Sequence, residues 1–314
     1  MAFAALGQRK EGRVKRVVSI SLGSSARDHK AVVELLGEQV SIERIGTNGD
    51  VEKARQLYRE LDGKVDAFGL GGTDLTLRVR DKEYRLHQAY TLIRDVRHTP
   101  VVDGAGVRAI VERRVMQVVE AEIGPEIQPK RGLITSAADR FDMALSFHEA
   151  GYETIYGDFM FGLGLPIPIR GLRTLEVLAA ILLPILGRLP MSMLYPTGEK
   201  QQVITPKYTR YYQWASVIAG DFNYIRRHLP DRLEGKVIVT NTTTAKDVEL
   251  LRARAVRYLV TTTPRIQGRS FGTNVMEATL VALAGKGRPL RQDELEAMAA
   301  ELNLRPTIER LSSV

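Results

Sequence analysis

The 314-residue chain contains no cysteine. Disulfides, thiolate zinc sites and a cysteine nucleophile are therefore excluded. Histidine is scarce: His29, His87, His98, His148 and His228 are the five, and none stand at the short spacings of metal ligands. No metal is assigned. Aromatic residues make up only 6% of the chain, with one tryptophan. Basic residues are not interleaved with them in the way that single-stranded nucleic acid requires. Long hydrophobic runs are also missing. The most apolar stretch, Val177 to Gly187, is about half of the ~20 residues that a membrane span needs, and Pro184 interrupts it. It reads as a buried helix ending at a turn. Met1 to Arg16 is basic with a short apolar patch, without the apolar core and cleavage site of a signal peptide. The expectation is a cytoplasmic chain that does not enter the membrane.

What is present fits a globular protein. Hydrophobic residues account for 44%, and the length suits two α/β domains. The net charge of +8 favours a small anionic substrate or nucleotide. Because the basic residues are dispersed, nucleic acid is not an expected partner. A homodimer is left open.

Strands and helices alternate along the chain, which predicts parallel sheets. Val17 to Leu22, Val40 to Ile45 and Val65 to Leu70 read as strands. Helices are placed at Asp28 to Leu36 and from the Gly46–Asp50 turn to about Leu61. Leu75 to Leu86 reads as a hairpin, Pro100 to Val102 as a short strand and Val107 to Glu122 as one long helix. After Gly124-Pro125 the rhythm resumes, with strands at Leu133 to Thr135, Thr154 to Tyr156, Ser216 to Ala219, Val237 to Thr240 and Tyr258 to Thr261. Asn274 to Gly285 and Asp293 to Leu302 read as helices. The fold class is α/β in two domains, an N-terminal parallel α/β domain followed by a Rossmann-like doubly wound sheet. The boundaries are 1–124 for the substrate side, 125–275 for the nucleotide side and 276–314 for C-terminal helices.

Ligands of open parallel sheets bind at the carboxyl ends of the strands. Here nearly all of those ends carry loops rich in small and hydroxyl residues: Ser24-Ser25, Gly69-Leu70-Gly71-Gly72, Asp103-Gly104-Ala105-Gly106, Gly157-Asp158, Gly220-Asp221, Asn241-Thr242-Thr243-Thr244 and Thr261-Thr262-Thr263-Pro264. Any one of them is an ordinary turn or helix cap. Together they read as a rim that lets a ligand approach backbone amides. The loop Ser136-Ala137-Ala138-Asp139 stands where a dinucleotide fold wants its phosphate loop, yet it has no glycine. Asp158 ends the next strand, where such folds keep the acid that bonds a ribose. Lys200, in the polar loop Tyr195 to Gln201, offers an anion or proton partner, or is a surface turn. Arg265 and Arg269, with Ser270 to Asn274, offer a bidentate clamp for a carboxylate, or are solvated.

The turn Pro100-Val101-Val102-Asp103-Gly104-Ala105-Gly106, the long helix and second sheet behind it, and the last helix at Gly272 to Leu283 resemble the shikimate/quinate dehydrogenase family. Gly220-Asp221-Phe222, Thr240 to Thr244, Thr261 to Pro264 and Gly268 to Ala278 are similar to bacterial proteins labelled quinate 5-dehydrogenase. The resemblance implies an NAD(P)-dependent oxidoreductase acting on a small hydroxy acid between two domains. It makes Asp103 a catalytic residue, partnered by a lysine, Lys82 or Lys200. It makes Ser136, Asp139, Asp158, Asn241, Thr242, Thr243 and Thr262 cofactor ligands. It gives Ser24, Ser25, Gly72, Thr73, Arg269 and Asn274 to the substrate. With an acid at 158 the cofactor would be NAD rather than NADP. The family's lysine loop and glycine loop have no counterpart here, and Gly71-Gly72-Thr73-Asp74-Leu75 stands in place of the first. A second reading therefore stays open: a non-redox protein on the same scaffold that binds another anionic or nucleotide ligand.

Overall fold

The computed structural model describes residues 13–189, 203–263, 265–266 and 269–312, without the side chains of residues 265, 266, 269 and 270. The β-branched run Val17-Val18-Ser19-Ile20 forms the buried middle of strand β1 (Lys15–Ser21), which organises the first sheet. A hairpin of β2 (His29–Leu35) and β3 (Glu38–Gly46) precedes helix α1 (Val51–Leu61). Strand β4 (Ala67–Gly71), the hairpin of β5 (Thr76–Val79) and β6 (Lys82–Arg85), helix α2 (His87–Ile93) and strand β7 (Val101–Val102) complete this part. The sheet order is β2-β3-β1-β4-β7, parallel from β3 to β7, with β2 antiparallel at the edge.

That edge strand replaces the helix expected at Asp28 to Leu36. Two neighbouring β-branched residues, Val32 and Val33, disfavour a helix. Leu36 and Gly37 have φ of 52° and 75°, the doubly positive turn that closes a two-residue hairpin, and Leu35 pairs with Glu38 across it.

Helices α3 (Ala105–Arg113) and α4 (Val115–Ile123) lead to the second sheet. They replace the single helix expected at Val107 to Glu122, with a break at Arg114. Next come β8 (Arg131–Ile134), α5 (Phe141–Glu149), β9 (Glu153–Tyr156), β10 (Ile169–Arg170) and α6 (Leu172–Leu186). Then follow α7 (Thr209–Trp214), β11 (Val217–Gly220), α8 (Phe222–Arg227), β12 (Val237–Thr240), α9 (Ala245–Ala253) and β13 (Tyr258–Thr261). A small hairpin, β14 (Arg265–Ile266) with β15 (Arg269–Ser270), precedes α10 (Thr273–Ala284), α11 (Gln292–Glu301) and β16 (Thr307–Arg310). The order is β10-β9-β8-β11-β12-β13-β16, with five parallel strands inside and antiparallel strands at both edges. The sequence reading places no strand after Leu302. The short β16 closes the edge beside β13 by pairing Leu259 with Glu309.

One hydrophobic cluster joins the two sheets. It runs from Val18, Ile20 and Phe68 through Val115, Met116 and Phe147 to Ile134, Val217 and Val239. The far face of the first sheet packs on α3, α10 and α11, and the far face of the second on α7 and α8. Helix α6 is not buried all round as its composition suggests. Val177, Ile181 and Ile185 are more than half exposed on its outer side, and Pro184 sits inside its last turn. Among the described residues no helix is long and apolar enough to cross a membrane.

Candidate functional site

Each sheet has one place where the strand order reverses. In the first it is the end of β1, with β3 on one side and β4 on the other. In the second it lies between β8 and β11. Loops leaving such a point part in opposite directions and open a crevice. The two crevices share one cleft of about 610 Å³. Ser21, Gly23, Ser24, Gly71 to Asp74 and Asp103 come from the first sheet, and Asp139-Arg140, Asp221 and Asn241 to Ala245 from the second. The start of α10, Gly272 to Val275, forms the floor between them.

That floor depends on missing side chains. A Cβ on Gly104 would stand 2.2 Å from the Asn274 nitrogen, and one on Gly69 2.9 Å from the Asn274 oxygen. The chain can bring α10 this close only where those side chains are absent. Asn274 then reaches the first sheet and donates from Nδ2 to Ser19 Oγ at 2.8 Å.

The walls carry alternating charge. Arg27, Arg44, Arg108 and Arg140 face Asp28, Asp74, Asp103, Asp139 and Asp221. Arg108 pairs with Asp74 at 2.9 Å, both nearly buried. Arg140, 4% exposed, pairs with Glu112 on α3 and with Asp221 at 3.1 Å, so it ties α3 to the switch point of the second sheet. Burial raises the Asp74 carboxyl to about 6 against the pull of Arg108, with Asp103 and Asp139 adding repulsion. Burial likewise raises Glu112 to about 7 and pushes Asp139 up. At the other end Arg44 donates to Ser24 O, Asp28 Oδ1 and Ser21 Oγ. Burial and the neighbouring Arg27 lower the Arg44 guanidinium. Arg27 spans the cleft to Thr242 Oγ1 at 3.3 Å. Asp139 Oδ1 and Thr243 Oγ1 are buried without a hydrogen-bond partner among the described residues.

The sequence-predicted residues divide. Ser24, Gly72, Thr73, Asp103, Asp139, Asn241, Thr242, Thr243 and Asn274 line the cleft. Asp103 is also structural: Oδ2 accepts from Leu75 N at 2.7 Å and Oδ1 from Ala105 N, the first residue of α3, at 3.0 Å. Ser25 does not line the cleft, because its hydroxyl accepts from Asn48 Nδ2 at 3.0 Å. Thr262 is buried behind the rim. Lys82 is exposed on the β5–β6 hairpin, away from the cleft. Lys200 lies outside the described residues, as does the side chain of Arg269. Among the described residues no lysine lines the cleft, and no group of His, Asp or Glu is arranged to hold a metal.

Ser136 and Asp158 face elsewhere. They line a second, apolar cavity of about 140 Å³ under α6. Asp158 Oδ1 accepts from the amides of Ala137 and Ala138 at 2.9 and 2.8 Å. Those are the amides that a pyrophosphate would use in a dinucleotide fold. The chain's own carboxylate occupies them, and Asp139 adds a second one. The loop therefore does not fit a pyrophosphate in the standard manner. Burial, with repulsion from Asp139, raises Asp158 to about 7 against the pull of the two amides.

Several cleft residues carry no warning in their own neighbourhood. Arg44 is placed from the middle of a strand. Arg108 and Asp74 meet across 34 positions of sequence. Asp221 belongs to a strand-end loop that the sequence reading names, and Asn223 lies two residues further on.

A pH-dependence follows from Glu277 on α10. Burial raises its carboxyl from 4.5 to about 7 while it accepts from Val107 N at 2.9 Å. The folded state then holds a proton that the unfolded state has released. Its stabilisation is full below about pH 4.5 and is lost as pH rises through 7. Urea unfolding should show Glu277→Gln losing about 2 kcal/mol less than the parent between pH 5.5 and 8. Equal losses would mean that Glu277 titrates normally.

Comparison with known proteins adds the family. A family model described as Domain of unknown function (DUF8754) matches residues 106–311, and one described as Domain of unknown function (DUF8753) matches residues 16–103. No curated protein matches. Among solved structures, the chain is similar to GanP, a glucose-galactose binding protein from Geobacillus stearothermophilus, at 9% identity and a TM-score of 0.41, covering 96% of this chain and 99% of that one. It is similar to a hetero-hexameric glutamate dehydrogenase from Thermus thermophilus at 14% identity and a TM-score of 0.42, covering 93% and 74%. A third is the NAD-dependent malic enzyme from Thermotoga maritima, at 13% identity and a TM-score of 0.38, covering 91% and 76%.

Proposed function

The chain belongs to the family described as Domain of unknown function (DUF8754), and from its cleft we propose that it binds a compact polyhydroxylated metabolite carrying one anionic group. The carrying observation is the array of four guanidiniums and five carboxylates along the cleft walls. A vicinal diol donates and accepts at once, so it can bridge a carboxylate and a guanidinium without leaving either unpaired. A polyphosphate would meet an excess of carboxylates. The single anionic group belongs at the Arg27–Arg44 end, where two guanidiniums stand together and Arg27 has no carboxylate partner among the described residues.

Titration calorimetry with shikimate, quinate, gluconate, glucose and sorbitol tests this. Arg27→Ala should weaken the bound hydroxy acid about tenfold or more, the loss of one charge-assisted hydrogen bond. A neutral polyol should bind the variant as it binds the parent, and the melting temperature should not move. An equal loss for acid and polyol would contradict the assignment of the anionic end.

A second reading is the hydroxy-acid dehydrogenase of shikimate/quinate type with NAD. It is favoured by Asp103, which lines the cleft beside Asp74 at the junction of the sheets. Its acid/base pair would need a lysine from outside the described residues, and its cofactor another mode of binding than the loop after β8.

A further inference from the structure

The apolar cavity under α6 has no use in a purely polar ligand. Its walls come from Leu77 and Leu86 on the β5–β6 hairpin and from Leu175, Leu178, Ala179 and Leu182 on α6. It is not remote from the cleft. Asp139 and Tyr224 line both spaces, so one wall of the cavity is one wall of the cleft. Of the cavity's polar residues, Asp139 and Tyr224 are shared with the cleft, while Ser136 and Asp158 line the cavity alone. Space therefore changes from charged to apolar across a single boundary.

Size and chemistry narrow the occupant. An apolar space of about 150 Å³ holds one benzene, and this one measures about 140 Å³. It has room for one ring or a short alkyl chain. An adenine ring would bury its polar edge against leucines, at a cost of a few kcal/mol. A hydrocarbon group loses nothing there and gains from leaving water.

We propose that the metabolite is amphiphilic, with its hydroxylated head in the cleft and an apolar substituent, an aryl ring or a chain of about six carbons, in the cavity under α6. The assignment rests on the reading of the cleft as a site for hydroxylated molecules. Tyr224 stands where the two parts of the ligand join. Burial, with repulsion from the nearby Asp139, Asp221 and Asp74, pushes its phenol pKa up.

Two probes test the proposal separately. Toluene alone, followed by saturation-transfer NMR, should bind the parent and be lost in Ala179→Phe, whose ring fills the cavity. Leu178→Trp serves as the second variant if circular dichroism shows the first misfolded. The n-hexyl glycosides of glucose, galactose and mannose should bind the parent about tenfold or more tighter than the methyl glycosides, and Ala179→Phe should erase that difference while leaving the methyl glycosides unchanged. Head binding without toluene binding, or equal affinity for hexyl and methyl forms, overturns the amphiphilic ligand alone. Toluene binding with no binding of any hydroxylated head overturns the reading of the cleft and the linked ligand with it.

Discussion

Arg140→Met should destabilise the protein by about 3–5 kcal/mol in urea unfolding at pH 8, the range for breaking a buried ion pair from one side. The guanidinium is 4% exposed and the Glu112 carboxyl 1%. With Arg140 gone, the buried Glu112 carboxylate loses its partner, and Asp139 and Asp221 lose the cation between them. The cost depends on pH. Burial already raises Glu112 to about 7 against the pull of Arg140, and loss of that pull raises it further. At pH 5.5 Glu112 takes up a proton and the penalty shrinks. Glu112→Gln in the Arg140→Met background should recover a large part of the loss at pH 8, which a double-mutant cycle measures as coupling. Additive losses in that cycle would show that Arg140 acts by packing alone. Hydroxylated ligands should lose affinity in Arg140→Met at both pH values, because the residue also lines the cleft.

Gly104→Ala should cost a further large amount, about 3–5 kcal/mol, from two sources that add. Gly104 has φ of 86°, where an L side chain is strained by about 1–2 kcal/mol. The added Cβ would also stand 2.2 Å from the Asn274 nitrogen and 2.5 Å from the Thr273 carbonyl carbon. Those are backbone atoms, so α10 must withdraw from the first sheet. Withdrawal breaks the bond from Asn274 to Ser19 and lowers the floor of the cleft. Thermal unfolding should show a fall of many degrees, and ligand affinity should fall with it. A variant with the parent's melting temperature would mean that α10 does not dock as described. Gly151→Ala is the control: its φ is 77° but nothing lies within 4 Å of the new Cβ, so only the strain remains.

Much of the fold is legible in the sequence because strand ends are marked by small residues. Gly71-Gly72, Asp103-Gly104 and Gly220-Asp221 each close a buried apolar run, and each lies at the cleft. The hairpin strand β2 is misread as a helix because its burial alternates weakly, with only Val33 fully buried. What gives it away is the two-residue turn at Leu36-Gly37, and a left-handed leucine is not visible in composition. The break at Arg114 is invisible for a similar reason, since Val107 to Glu122 keeps its apolar spacing through it.

The site is legible in part. Hydroxyl and amide residues of the rim are marked by their place after strands. Asp158 follows β9 closely in sequence, but its partners are not readable there. A carboxylate there serves equally to hold a ribose or to cap the amides of the loop beside it, and only geometry separates the two. The guanidiniums are the largest omission. Arg44, Arg108 and Arg140 reach the cleft from a strand, a helix and the loop before α5, and each finds its carboxylate well apart in sequence. No local pattern encodes such a meeting.

The most direct test of the account sets hydroxylated molecules against dinucleotides in one thermal-shift series. Shikimate, quinate, gluconate, glucose and sorbitol are compared with NAD, NADH, NADP and NADPH on the same protein. A ligand at about a hundred times its dissociation constant adds about 2.7 kcal/mol to the folded state, a readable shift in melting temperature. The account predicts a rise with at least one hydroxylated acid and none with any dinucleotide. A rise with NAD or NADH and none with the hydroxylated set would contradict it, and would return the loop after β8 to the role of a phosphate site.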